Sequence, residues 1–477
     1  MHDRKKGTDI RMIFRDYIGD RSFYKKTMTI ALPIMVQNGI STFVNMLDNL
    51  MVGRLGTEAM SGVSIVNQFM FVFTLLVFGA VSAAGIFMAQ FHGRGSKEGE
   101  RYTFRFKVIV CAASAILGIG VFILCCDSLI SSFLTGDEAG VDPALILKYG
   151  REYLFIMLIG LIPFAFSNVY ASSMRETGDT VSPMAASIAA VAVNFTFNYI
   201  LIFGNLGAPR LEVKGAAIAT VISRFAELAI LAVRTHRHPE RYAYIAGAFR
   251  SLKIPADLCK QIALRGLPLM ANEVMWSLAV TVANQSYSTC GLDVVPAQNI
   301  FSTLQNLFIE VLMSLGSTIA IMIGNLLGAG KLEEAKDSDR KLVAFSIVSG
   351  IVTGGLLAVF SKLFPMLYNT TDSVRSLATY MIMVGAVMLP FVAFTNAAYF
   401  TIRSGGDVLV TLLFDSVFMW AVVVPLCYVL SRYTDVSIYV LFAAGQGTEI
   451  VKSVLGYVLL RKGTWVKQIV DNEYADI

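Results

Sequence analysis

The sequence predicts an all-α polytopic membrane protein with twelve transmembrane helices arranged as two six-helix lobes. Three observations predict this fold class. The 477-residue chain is 55% hydrophobic and only 15% charged, whereas an average soluble domain has about 25% charged residues. Apolar stretches long enough to cross a hydrocarbon layer of about 30 Å recur along the whole chain. Short motifs also occur twice in the same order, which indicates an internal repeat.

The predicted spans are the apolar stretches between glycine, proline and charged breaks. Several of them exceed 25 residues, which indicates helices that are tilted or extend beyond the bilayer. The twelve spans lie near residues 28–52, 61–91, 103–126, 149–172, 181–204, 213–234, 263–288, 296–327, 340–361, 377–402, 408–430 and 435–460.

The distribution of lysine and arginine predicts the orientation. Segments 93–107 and 234–265 are basic, as is the tail from Arg461, whereas segment 127–142 is acidic. Because basic loops stay on the cytoplasmic side, both termini are expected in the cytoplasm, and an even number of spans agrees. The charged segment 1–27 lacks the apolar core of a cleavable signal peptide, so the first helix is expected to remain as an anchor in the cytoplasmic (inner) membrane.

The internal repeat relates the two halves of the chain. "ALP" at 31–33 returns as "GLP" at 266–268, and "QFHGRGSKEGE" at 90–100 returns as "NLLGAGKLEEA" at 325–335. "RETGD" at 175–179 returns as "RSGGD" at 403–407. Two six-helix halves have the same orientation in the membrane and leave a central cleft, where transporters commonly bind substrate. The predicted organisation is a cytoplasmic segment 1–27, an N-lobe 28–240, a C-lobe 241–460 and a cytoplasmic tail 461–477.

Composition and motifs exclude several function classes. The six cysteines are scattered and suggest neither a disulfide framework nor a zinc site. The net charge of +5 fits basic loops rather than a nucleic-acid-binding face. "GNLLGAGKL" at 324–332 lacks the first glycine and the final Ser/Thr of a Walker A motif, where Asn325 and Leu332 stand. No catalytic cluster is recognisable, so we expect no enzyme activity and no cofactor, with ion gradients as the energy source.

A polar stripe on the first span contains the strongest candidate residue. Asn38, Ser41, Asn45 and Asp48 are three, four and three residues apart, which places them on one helical face. A charged residue in mid-helix costs about 2.5–3.5 kcal/mol on insertion scales, so it should face protein or water. Asp48 is therefore an ion-coupling candidate. The alternative is a packing stripe with Asp48 solvated near the outer interface.

Spans five and six carry further polar residues. Asn194 and Asn198 lie one turn apart on span five, and Thr220 lies on span six. Amides and a hydroxyl can hydrogen-bond a carboxylate or coordinate an ion. The alternative is polar packing between helices.

The second half has its own polar stripes. Glu273 begins a stripe on span seven that ends at Asn284, and Asn306 and Glu310 lie on span eight. Glu273 and Glu310 are the stronger candidates among these residues. The predicted cleft residues are Glu273, Glu310, Asn272, Trp276, Asn284 and Asn306, and the further candidates are Asn38, Asn45, Asp415 and Asn396. Asp415 follows the Gly-Asp turn by only a few residues. The alternative to a functional role is that it is simply solvated there.

Two ion pairs within helices are also predicted. Arg224 and Glu227 are three residues apart on span six, as are Glu449 and Lys452 on span twelve. Such pairing lowers the cost of burying charge, and we expect a structural role for both.

Several of these stretches together resemble the multidrug and toxic compound extrusion (MATE) family. They are "ALPIMVQNGISTFVNMLDNLMVGRLG", the glycine-rich turn after span two, "MRETGDT", "GAAIATVIS" and "RGLPLMANEVMWS", and they cover residues 25 to 460 in the family's order. The resemblance implies a V-shaped antiporter that expels organic cations and drugs against inward proton or sodium flow. By position, Asp48 matches the acid of the family's first helix, and Asn194, Asn198 and Thr220 match its N-lobe cation site, where Na⁺ is a possible ion.

Three departures from the family leave the coupling ion open. Many relatives have an acid where this chain has Asn198. The acid Glu273 lies one turn before the usual position on span seven, although on the same face. On span ten Asn396 is the polar group nearest to an acid that some sodium-coupled members carry.

Other functions are weighed against the antiporter. A flippase for a lipid-linked cell-envelope precursor would favour an arginine-rich cleft, whereas the candidate cleft residues here are mostly acidic. A passive channel would need a pore-lining ring of charges or carbonyls, which two divergent halves do not suggest. Two fused halves also make a functional monomer plausible.

Overall fold

We examined a computed structural model of the chain, which describes residues 17–131 and 142–470. The basic residues predicted at the extreme N-terminus, most of the acidic segment 127–142 and the end of the tail lie outside these ranges. All regular secondary structure in the described ranges is helical, as predicted.

Twelve long helices cover the described residues. They are α1 (Arg21–Gly53), α2 (Thr57–Arg94), α3 (Lys97–Ser131), α4 (Pro143–Glu176), α5 (Val181–Phe203), α6 (Glu212–Arg237), α7 (Ala256–Ser288), α8 (Val294–Gly328), α9 (Leu332–Leu363), α10 (Asp372–Ser404), α11 (Val408–Tyr433) and α12 (Ile438–Lys462). Short 3₁₀ turns occur at Asn205–Gly207, Ala243–Ile245 and Pro365–Leu367.

The predicted spans each fall largely on one of these helices. Eleven helices of the described part are long and apolar enough to cross a membrane. The remaining one, α12, has 25 residues and carries Gln446, Glu449 and Lys452. Several helices extend beyond their predicted spans, because the sequence analysis stopped at the first charged residues.

The basic segment 93–107 illustrates this difference. It is not a loop: α2 continues to Arg94 and α3 begins at Lys97, so only a short turn separates them. Arg105 is 7% exposed and Lys107 is completely buried. Lys107 contacts Glu176 and donates to the Ser172 hydroxyl at 3.1 Å. A local count of charges could not show this pairing, because Lys107 and Glu176 lie on different helices.

The helix α11 departs from regular α geometry. Its segments Leu413–Val417 and Met419–Val423 form wide π turns between α-helical ends. Such turns are rare and often occur at functional sites. Asp415 lies in the first of them.

The described residues form two compact units. The N-terminal unit contains residues 33–92, 96–131 and 142–266, with a core that includes Val66, Phe104 and Val169. The C-terminal unit contains residues 17–32, 93–95 and 267–470, with a core that includes Leu389 and Phe442. The unit boundaries inside α1 and α7 fall at or beside Pro33 and Pro268, where a helix lacks one backbone hydrogen bond.

The linker between the two halves belongs to the N-terminal unit. The Arg105 guanidinium donates three hydrogen bonds to linker carbonyls, those of Ala248 at 2.8 Å, Gly247 at 2.9 Å and Lys253 at 3.0 Å. These contacts explain why residues 241–266 join this unit, whereas the sequence repeat places the division near residue 240.

The repeated Arg-x-x-Gly-Asp motif forms the turns after α4 and α10. Gly178 and Gly406 have positive φ angles of 86° and 75°, which favour glycine. Asp179 accepts hydrogen bonds from the Ser182 backbone N–H at 3.0 Å and from its hydroxyl at 2.6 Å, so it satisfies a free N–H in the first turn of α5.

Candidate functional site

Asp48 lies in a polar cluster inside the N-terminal unit. The Asn198 Nδ2 donates to Asp48 Oδ1 at 2.6 Å and to Asn194 Oδ1 at 3.0 Å. The Asn194 Nδ2 in turn donates to Thr220 Oγ1 at 3.4 Å. Asn194 and Asn198 are buried, with 4% and 1% of their surface exposed. The structure therefore joins the four residues predicted for the N-lobe, which come from α1, α5 and α6.

The helical registers explain this cluster. Asn194 and Asn198 are four residues apart on α5, so their side chains lie on one face, one turn apart. Thr220 also donates to the Ala216 carbonyl at 3.0 Å, which fixes the orientation of its hydroxyl. Asp48 thus meets amides that are already oriented by a neighbouring helix.

The charge balance of this cluster is unusual for a helix interior. No described residue forms a salt bridge with Asp48, and Asn198 Oδ1 is a buried acceptor without a hydrogen-bond partner in the described part of the chain. The donor set is one carboxylate with amide and hydroxyl oxygens, and oxygen ligands suit a proton or a hard cation such as Na⁺. The described residues contain no group of three or more His, Cys, Asp or Glu that could hold a metal ion.

A second polar network lies in the same unit. The Gln37 Nε2 donates to Ser187 Oγ at 2.8 Å, and the Ser187 hydroxyl donates to Glu227 Oε1 at 2.6 Å. Arg175 donates to Gln37 Oε1 at 3.3 Å. Sequence analysis missed this network, although a signal exists: Ser187 and Glu227 lie seven residues from Asn194 and Thr220, so each shares a helical face with a member of the Asp48 cluster.

The C-terminal unit contains a network around Asp415. Lys452 forms a salt bridge with Asp415 at 2.7 Å, and Asn272 Nδ2 donates to the same carboxylate at 3.0 Å. The Ser416 hydroxyl donates to Asn272 Oδ1 at 2.7 Å. The Asp415 side chain is 14% exposed, so the alternative of a solvated position is wrong.

Glu273 lies beside this network with a different cation. The Tyr399 hydroxyl donates to Glu273 Oε1 at 3.3 Å, and Arg403 Nη1 donates to the Tyr399 hydroxyl at 3.1 Å. Arg403 also approaches Glu273 at 3.9 Å. Glu273 and Asp415 therefore each have a cationic partner in their own unit, whereas Asp48 has none among the residues that the structure describes.

Neither of the two ion pairs predicted within helices forms a salt bridge in the described part of the chain. Lys452 pairs with Asp415 on α11 rather than with Glu449, which accepts a hydrogen bond from Thr395 at 2.9 Å. Arg224 lies over the Phe164 ring at 4.9 Å, and Glu227 accepts from Ser187. The two glutamates of the predicted pairs thus each accept a hydrogen bond from a neighbouring helix.

Comparisons with known proteins place the chain in a family. Its sequence matches the MatE family over residues 33–200 and 269–429, which is more than half of its length. The chain belongs to the MatE family. The resemblance drawn from the short motifs is thereby confirmed.

Relatives of this MatE protein align along nearly the whole chain. A probable multidrug resistance protein NorM of Thermotoga maritima is 22% identical over 466 residues, which cover 96% of this chain and 97% of that protein. A probable multidrug resistance protein YoeA of Bacillus subtilis is 25% identical over 428 residues, covering 87% of this chain and 89% of that protein.

Solved structures confirm the predicted fold class. A MATE protein in a bent conformation has a TM-score of 0.83 at 19% identity and covers 94% of this chain and 97% of its own. A multidrug resistance MATE transporter in an outward-facing conformation has a TM-score of 0.81 at 19% identity, with 94% and 98% coverage. The chain is thus an all-helical, multi-pass membrane transporter.

The other predicted residues of this MatE protein have the following positions. Asn284 accepts a hydrogen bond from Gln298 at 2.7 Å, and Asn396 contacts the Met313 sulfur at 2.8 Å. Trp276 is 42% exposed. Asn38 lies on α1, Asn306 and Glu310 lie on α8, and the side chain of Asn45 lies outside the described residues.

Proposed function

We propose that this MatE protein is a secondary antiporter that exports organic cations and drugs in exchange for H⁺ or Na⁺. The names of its relatives refer to multidrug resistance, which supports drug efflux as the direction of transport. We place it in the cytoplasmic membrane with both termini in the cytoplasm, because its basic loops fit that orientation.

The observation that carries the proposal is the difference between Asp48 and Asp415. Asp415 has Lys452 as a fixed counter-charge. Asp48 is held by the Asn198 amide and has no cation among the described residues. A carboxylate in a poorly hydrated site without a fixed cation favours binding of a mobile one, because the uncompensated charge is costly there.

In the proposed cycle, Asp48 takes up a proton or Na⁺ when the site is open to the outside and releases it to the cytoplasm. Asn194, Asn198 and Thr220 supply neutral oxygens for Na⁺, or hydrogen bonds to either state of the carboxyl group. Binding of the ion changes the charge of the cluster. It therefore shifts the equilibrium between outward-open and inward-open conformations.

We assign substrate contacts to the C-lobe. Glu273 and Glu310 are the proposed acids, with Asn272, Asn284, Asn306 and Trp276 as further contacts. Because Arg403 lies 3.9 Å from Glu273, a cationic substrate would compete with this guanidinium for the carboxylate. A single chain contains both units, and we propose that it functions as a monomer.

The test is drug transport in sealed vesicles that contain purified protein and carry an imposed pH or sodium gradient. Asp48→Asn keeps the size of the side chain and removes its charge, so gradient-driven transport should fall to the level of empty vesicles. Asp372→Asn is the matched control, because this side chain is 98% exposed at the start of α10, and the variant should transport like the wild type.

Two results of this assay bear on separate parts of the proposal. Full gradient-driven transport by Asp48→Asn would remove Asp48 from the mechanism. Stimulation by one gradient alone would identify the coupling ion. The flippase alternative is not favoured, because the relatives described above are named for multidrug resistance.

A further inference from the structure

A cavity of about 770 Å³ lies inside the C-terminal unit, apart from the Asp48 and Asp415 clusters. The first turns of α9 and the last turns of α12 form its walls, and Phe394 of α10 also lines it. The segment after α12 contributes Trp465. We call this space the α9–α12 cavity. Its volume falls in the range of small-molecule sites, roughly 300–1,000 Å³.

The charged lining of the cavity is predominantly basic. Arg340, Arg461 and Lys462 line it and form no salt bridge with any residue that the structure describes. The fourth basic residue, Lys336, is paired with Glu333 at 2.7 Å. One further acid, Asp339, is buried and accepts a hydrogen bond from Thr401 at 2.5 Å. The cavity therefore has two more positive than negative side chains, which favours an anion.

Along α9 the charged lining residues, from Glu333 to Arg340, come before the apolar ones, from Val343 to Ile347. Along α12 the apolar Tyr457 and Leu460 come before Arg461 and Lys462, at the end of the helix. At 1.5 Å per residue, Ile347 lies about 10 Å further along α9 than Arg340, and Tyr457 about 7 Å before Lys462 on α12. This gradient matches a molecule with an anionic head and an apolar chain.

The segment that closes the charged end is held by side-chain and backbone contacts. Trp465 is 3% exposed and its Nε1 donates to the Leu460 carbonyl at 3.3 Å. Gln468 donates to the Gly328 carbonyl at 2.8 Å, and Arg94 donates to the Val470 carbonyl at 2.8 Å. These bonds fix the wall of the cavity in place.

We propose that the α9–α12 cavity binds one anionic phospholipid. Arg340, Arg461 and Lys462 bind its phosphate, and an acyl chain lies along Val343, Ile347 and Phe394. Basic pockets between transmembrane helices are a known arrangement for anionic headgroups. A soluble phosphate would use the three cations but would leave the apolar wall without a ligand. This proposal does not depend on the antiport mechanism.

The experiment is native mass spectrometry of the full-length protein from mixed micelles that contain phosphatidylglycerol and phosphatidylcholine in equal amounts. The wild type should retain phosphatidylglycerol over phosphatidylcholine by roughly tenfold or more, since each cation near an anionic headgroup raises the affinity several-fold. The variant R340Q/R461Q/K462Q should lose this preference. R237Q/K253Q/K260Q is the matched control, because it removes three exposed charges from the basic segment 234–265, away from the cavity, and it should keep the preference.

A second variant tests the apolar half of the cavity. A344W fills the space beside the apolar wall without changing the charge, and it should reduce phosphatidylglycerol retention. Equal retention of both lipids by the wild type would overturn the proposal, as would an equal loss in the control variant. Unchanged retention in A344W, or displacement of the lipid by millimolar inorganic phosphate, would indicate a phosphate site instead and would also overturn it.

Discussion

At the scale of single residues, buried charges are distinguished by their partners. Lys107, Asp415 and Lys452 are compensated by charges on neighbouring helices. Within the described part of the chain, the hydrogen-bond donor to Asp48 is the neutral Asn198. Compensated pairs belong to the architecture of the units, whereas an uncompensated carboxylate can exchange an ion.

The Asp415–Lys452 pair predicts a measurable asymmetry between single and double substitutions. Lys452→Met removes the cation and leaves Asp415 with Asn272 as a partner. We expect a loss of about 3–5 kcal/mol in the free energy of unfolding, because one buried charge loses its partner. The variant D415N/K452M should recover most of this loss.

Thermal unfolding of the two variants and the wild type in the same detergent measures this asymmetry. If the single and the double variant unfold at the same temperature, the pair does not compensate charge as the structure indicates. Lys362→Met on α9 is the control. This exposed side chain has no salt-bridge partner among the described residues, so the variant should unfold like the wild type.

At the scale of helices, small residues allow two backbones to approach closely. The helix α10 packs against α8, α9 and α12. A Cβ added at Gly354 of α9 would lie 2.5 Å from the Ala386 carbonyl oxygen of α10. Helices in membranes pack through such small residues, since van der Waals contact drives their association there.

The neighbouring glycines of α9 give a matched test. Gly354→Leu should lower the free energy of unfolding by about 1–3 kcal/mol, because the side chain separates α9 from α10. Gly355→Leu should have little effect, since a Cβ there meets nothing within 4 Å. The measurement is the apparent Tm in detergent, and equal Tm values for the two variants would contradict the close packing.

At the scale of the whole molecule, the linker between the halves is fixed to the N-terminal unit. Tyr242 and Tyr244 are almost completely buried, and the Tyr242 hydroxyl donates to Asp179 Oδ2 at 2.5 Å. Arg241 lies 3.3 Å from the same oxygen. Burial by itself would raise the pKa of Asp179, but the hydrogen bonds from Ser182 and Tyr242 and the charge of Arg241 together hold it below its ordinary value of 3.8.

This shift predicts a pH-dependent contribution to stability. A depressed pKa means that ionised Asp179 stabilises the fold above about pH 4, and this contribution is lost as the pH falls through the folded-state pKa. Asp179→Asn should therefore be less stable than the wild type at pH 7, and the difference should shrink below pH 4.

Unfolding curves at several pH values measure this difference. The control is Asp435→Asn, an exposed aspartate in the connection between α11 and α12, which should match the wild type throughout. A difference for Asp179→Asn that is constant from pH 7 to pH 3 would show that ionisation of Asp179 does not stabilise the linker.

The helices and the N-lobe cluster could be predicted from sequence, but the C-lobe network could not. Hydropathy located the spans because each must cross the same apolar layer, and the spacing of Asn194 and Asn198 placed them on one face. The partner of Asp415 is 37 residues away on another helix. No periodicity within one helix indicates which neighbour its polar face will meet.

The sequence by itself determined the class of the protein, the number and approximate positions of its helices and the internal repeat, and it singled out Asp48 as a candidate. Only the tertiary structure decided which buried charges are compensated, that Arg105 holds the linker and which side chains line the α9–α12 cavity. The physical reason is that helix formation and membrane insertion depend on local composition, whereas hydrogen bonds and ion pairs depend on distances between side chains that are remote in sequence.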